Sequence, residues 1–108
     1  MATFQLKPGD RKYAIKYQLS DYESGSGLLT GGSVKFQMMD ANGTTVIDAA
    51  GTILDDDGIV AYEWANGDTD TEGTYRAEFK VTFSDGLSQH YPSSGFIAVE
   101  ISRDVPGS

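Results

Sequence analysis

One stretch constrains the fold more than any other. Gly67-Asp68-Thr69-Asp70-Thr71-Glu72-Gly73, an acidic loop bounded by glycines, runs directly into Thr74-Tyr75-Arg76-Ala77-Glu78-Phe79-Lys80-Val81-Thr82-Phe83. In the second half Tyr75, Ala77, Phe79, Val81 and Phe83 alternate with Arg76, Glu78, Lys80 and Thr82. That period of two places the apolar side chains on one face of a strand and the polar ones on the other. A helix, with its period of 3.6, would scatter the same residues around its circumference. The segment is therefore a strand with a core on one side and water on the other.

The same alternation recurs along the chain. Tyr13, Ile15, Tyr17 and Leu19 mark a first strand, and Val34, Phe36 and Met38 a second. Asp40-Ala41-Asn42-Gly43 follows, an Asn-Gly signal for a tight hairpin because both residues tolerate positive φ. Its returning partner is expected over residues 45–49, a short strand over 51–54, and a turn at Asp55-Asp56-Asp57-Gly58. Val60, Tyr62 and Trp64 then share one face. After the long central strand, Ser84-Asp85-Gly86 turns the chain into residues 87–91. Pro92 interrupts the ladder because proline has no backbone donor, and Ile97, Val99 and Ile101 close it. Phe36, Trp64, Phe79 and Val81 are the expected core anchors. Seven or eight short strands with no helical period predict an all-β sandwich. At 108 residues there is room for one core, so a single domain is expected, with its core at about residues 12–101 and short arms at both ends.

The Gly73–Ala77 spacing refines this to an immunoglobulin-like antiparallel β-sandwich. In that architecture a tyrosine at the start of the strand after an acidic corner folds its hydroxyl back onto upstream backbone, and the residue two positions on faces the centre. Tyr75 and Ala77 occupy those positions, with Gly73 at the corner. The chain has no cysteine, so packing must do what a disulfide does in antibody domains.

The residues that build this pattern also carry a resemblance. Leu29-Thr30-Gly31 leading into Val34-Lys35-Phe36, the segment 46–50, Tyr62-Glu63-Trp64, the block 67–79, Phe83-Ser84-Asp85-Gly86, and Tyr91-Pro92 with Gly95-Phe96-Ile97 are similar to the small immunoglobulin-like domain of tailed-phage tail and baseplate proteins. That family is typified by the amino-terminal domain of baseplate upper proteins. The resemblance spans about residues 12–101. It implies a virion structural or adaptor subunit in a tail, baseplate, neck or capsid decoration, assembled in the host cytoplasm and docking onto other virion proteins or copies of itself. Larger members of the family continue into a helical linker that this sequence lacks.

Composition limits the alternatives. A formal charge of −8 disfavours a nucleic-acid partner, because such binding needs clustered Lys and Arg and the eight basic residues here are dispersed. No segment is long and apolar enough to suggest a membrane span, and the amino terminus lacks the basic and apolar runs of a secretory signal. With one histidine, His90, expected on an outward position, and no cysteine or serine-elbow motif, no catalytic apparatus or cofactor site is expected. Asp68, Asp70 and Glu72 before Gly73 imitate the first half of a calcium loop, but the position of the closing carboxylate is Phe79. The favoured reading is a corner whose Asp and Thr side chains bond local backbone. Asp55-Asp56-Asp57 carries the same two readings. A second class of function is carbohydrate binding at a host surface, for which Tyr22 and Tyr91, beside loops, are the candidate stacking residues.

Overall fold

The computed structural model describes residues 3–19, 22, 27–54, 58–92 and 95–103. The Asp55-Asp56-Asp57 turn, Met1 and the final residues Val105 and Pro106 lie outside the described residues. Among the described residues nine strands form and no helix. They are β1 (Thr3–Leu6), β2 (Ile15–Gln18), β3 (Ser33–Met39), β4 (Thr45–Ala50), β5 (Thr52–Ile53), β6 (Ile59–Tyr62), β7 (Gly73–Thr82), β8 (Ser88–Tyr91) and β9 (Ile97–Ile101).

The strands form a two-sheet sandwich of immunoglobulin-like kind. The larger sheet runs β1-β9-β7-β3-β4, with β8 also paired to β7, and the smaller runs β2-β6-β5. The long alternating segment is β7, at the centre of the larger sheet. β3 flanks it along residues 76–82, while β9 and β8 share its other edge. Aromatic rings join the two layers. Phe36 of β3 stacks on Tyr62 of β6 with ring centroids 4.6 Å apart, and Trp64 meets both edge-on. Phe36, Phe79, Val60, Val81 and Val99 are wholly buried.

Two local solutions make the layers possible. Asp40 organises the β3–β4 hairpin: its backbone carbonyl accepts from Gly43 N–H at 3.0 Å, and its Oδ1 accepts from the N–H groups of Asn42 and Thr44. Gly43 takes φ = 85°, as the last residue of a three-residue hairpin loop requires. Gly51, between β4 and β5, is where the chain passes from one sheet to the other. A Cβ there would lie 2.8 Å from the Ala61 carbonyl oxygen, so only glycine permits the approach.

The structure departs from the sequence reading at the amino terminus. Residues 3–6, expected as an arm, are a sheet member, and β1 pairs with β9 in parallel, so the sandwich is mixed where antiparallel pairing was expected. Alternation reports which face a residue occupies, not the direction of the neighbouring strand. Tyr13, expected inward, is 73% exposed because β2 begins only at Ile15.

Candidate interaction face

The acidic corner is an internally bonded structure. Tyr75, 7% exposed, donates its hydroxyl to the Thr71 carbonyl at 2.8 Å, tying the start of β7 to the loop before it. Gly73 lies beneath the ring, where a Cβ would approach Cε2, Cζ and Oη at 3.4 Å. Ala77 is buried two positions on. Asp68 Oδ2 accepts from the Tyr62 hydroxyl at 2.5 Å and from Ala65 N–H at 2.8 Å. Burial, and then the Asp68 carboxylate, push the Tyr62 phenol up to about 12, because both disfavour a second negative charge there. Burial and the more distant Asp40 charge raise Tyr75 as well.

The three carboxylates read as half a calcium loop do not act together. Asp68 is committed to Tyr62 and Ala65, Glu72 pairs with Arg103 through Nε at 3.1 Å and its backbone N–H at 3.2 Å, and Asp70 is exposed. Among the described residues no group of three or more His, Cys, Asp or Glu side chains is placed to hold a metal ion. The tyrosines proposed for sugar stacking are also occupied. Tyr91 is 4% exposed and belongs to the core, so it cannot present a ring to a glycan. Tyr22 is half-buried and lies parallel to Phe83 with centroids 6.4 Å apart. The sequence placed both beside loops; it could not reveal that the core reaches out to cover them.

What the fold leaves open is the outer face of the larger sheet. Alternation that buries Phe36, Met38, Ala77 and Phe79 sends Lys35, Gln37, Met39, Arg76, Glu78 and Lys80 to the other side, in cross-strand pairs set by the register. Asp48 of β4 and Glu100 of β9 extend the same face. Lys35 Nζ meets Asp48 Oδ1 at 3.2 Å, and His90 Nε2 stands 3.9 Å from Glu78 Oε1.

A rim stands at one end of this face. Tyr91 pairs with Phe79, and Ile97 with Ala77, and neither Pro92 nor Phe96 belongs to a strand. Phe96 returns over the sheet with its ring 5.9 Å from the Arg76 guanidinium, a cation–π contact. Between this rim and β4 lies a groove of about 390 Å³, lined among others by Met39, Asp48, Arg76, Glu78 and Phe96. Sequence reasoning read Arg76 and Glu78 merely as outward positions. The signal that could have located the groove is the Pro92 interruption, which ends the β8 ladder shortly before Phe96.

Comparison with known proteins yields a fold likeness and no family. No family model matches the chain, and no curated protein matches it. Among solved structures it is similar to CopC from Methylosinus trichosporium OB3b, with a TM-score of 0.54 and 16% sequence identity, over 97% of this chain and 90% of that chain. The shared feature is the sandwich. This finding corrects the functional expectation drawn from sequence: the likeness to CopC gives no support to a phage structural role. Neither the virion adaptor nor host-surface attachment is retained.

Proposed function

We propose that this chain is a non-enzymatic β-sandwich module that functions by association through the outer face of its larger sheet, and that the partner this face suits is a second copy of the chain. One observation carries the reading. The described strand positions of the face hold three cations, Lys35, Arg76 and Lys80, and three anions, Asp48, Glu78 and Glu100. The face therefore has no net charge, while the whole chain carries a formal −8. All of the net negative charge lies elsewhere, where it repels another copy. A two-fold contact requires one patch to be complementary to itself, and a face with equal numbers of cations and anions can meet that condition. Phe96 and Met39 add apolar surface at the groove, and Arg76 is of the type enriched in interface cores.

Sedimentation equilibrium tests this directly. The wild-type chain should dimerise at concentrations up to about 1 mM, where a pair stabilised by only about 4 kcal/mol is half formed. Arg76→Glu should shift the equilibrium to monomer without unfolding the domain, because Arg76 is exposed. A wild-type chain that remains monomeric across that range, or an Arg76→Glu dimer of unchanged affinity, would overturn the reading.

A further inference from the structure

The tripeptide Ala-Asn-Gly occurs twice, as Ala41-Asn42-Gly43 and as Ala65-Asn66-Gly67. The residue following an asparagine decides how easily its main-chain nitrogen can approach the side-chain amide carbon, and glycine, without a Cβ, obstructs least. The two sites share the same residue on either side of asparagine, so their intrinsic reactivities should be close. Any difference between them in the folded chain comes from structure.

In several respects the sites are alike. Both asparagines and both glycines are exposed. Gly43 has φ = 85° and Gly67 φ = 92°, and a Cβ placed on either glycine would meet nothing within 4 Å. They differ at the nitrogen that would attack. Gly43 N–H is bonded to the Asp40 carbonyl at 3.0 Å, inside a loop that Asp40 Oδ1 further clamps through Asn42 and Thr44. Gly67 N–H has no hydrogen-bond partner among the described residues; its turn is closed by Asp68 N–H donating to the Ala65 carbonyl at 3.1 Å.

We propose that Asn66 is a site of spontaneous deamidation in the native protein, whereas Asn42 is protected by the Asp40 clamp. The Gly67 nitrogen, losing its proton to solvent base, bonds to Asn66 Cγ; the Cγ–Nδ2 bond breaks, and the nitrogen leaves as ammonia. The resulting succinimide takes up one water and opens at either carbonyl, giving aspartate or isoaspartate. No oxidant, reductant or enzyme is required. The product alters a particular part of the fold. Isoaspartate lengthens the main chain within the turn that presents Asp68 to Tyr62 and Ala65, and either product adds an anion beside Asp68 and Asp70. The corner loosens with age while the β3–β4 hairpin keeps its form.

The test is peptide mapping by mass spectrometry of the full chain, incubated in warm, mildly alkaline buffer with and without denaturing urea. In the folded chain Asn66 should convert faster than Asn42 by about fivefold or more, the factor that one retained hydrogen bond of about 1 kcal/mol imposes on a rate. In urea the two rates should converge. Equal rates in the folded chain, or an Asn66 that stays intact there while converting in urea, would overturn the proposal. Failure of both sites to convert in urea would overturn its premise that Ala-Asn-Gly is reactive in this chain.

Discussion

Replacing Tyr75 by phenylalanine isolates the bond that closes the corner. The ring remains packed over Gly73 and only the hydroxyl is lost, together with its 2.8 Å bond to the Thr71 carbonyl. A hydrogen bond of this kind contributes about 0.5–1.5 kcal/mol net, and a buried carbonyl left unmet would add about 1–3 kcal/mol. Thr71 is exposed, so its carbonyl can turn to water and the larger penalty does not apply. The expected loss is therefore about 1 kcal/mol, a fall in Tm of about 4–8 °C for a domain of this size. Urea unfolding followed by Trp64 fluorescence measures it: with a slope of about 2 kcal/mol/M the midpoint should fall by about 0.5 M, the slope itself unchanged. Tyr75→Ala, which also removes the ring, should cost about 3–5 kcal/mol. A midpoint for Tyr75→Phe within about 0.1 M of wild type would mean that the ring alone holds the corner, and the argument from the hydroxyl would be wrong.

Two further outcomes follow from the packing. Tyr62 should titrate near 12 in a spectrophotometric alkaline titration. Because its pKa is raised on folding, the unfolded chain loses the proton first, so this contribution to stability is intact below about pH 10 and is lost as pH rises from there towards 12. Asp68→Asn should lower the midpoint only in part, since burial is the larger cause; a Tyr62 titrating at the ordinary phenol value of about 10 in the wild-type chain would refute the assignment. Gly32→Ala should destabilise by about 1–3 kcal/mol through overpacking, because the new Cβ would lie 2.5 Å from the Thr82 carbonyl oxygen, an immovable backbone atom; thermal melts showing no loss would contradict that geometry.

Much of the sandwich was legible in the chain. The alternation from Tyr75 to Val81 identifies both the strand and its buried side, and Phe36, Phe79, Val81 and Trp64 are in the core as their spacing implies. The Asp-Thr-Asp-Thr-Glu loop before Gly73 placed Tyr75 at the corner where its hydroxyl reaches back four residues. These features are local: period, turn chemistry and short-range hydrogen bonds are set by residues close together in sequence. Long-range partnership is different. Nothing in Thr3-Phe4-Gln5-Leu6 states that it lies parallel to residues 98–101. Nor does the sequence show that Tyr91 is sealed in the core, that Phe96 covers Arg76, or that cations and anions balance on one face of an acidic molecule. Sequence determined which side of each strand is apolar, because side-chain direction alternates with the backbone; the tertiary structure decided what each side faces, because that depends on strands separated by most of the chain.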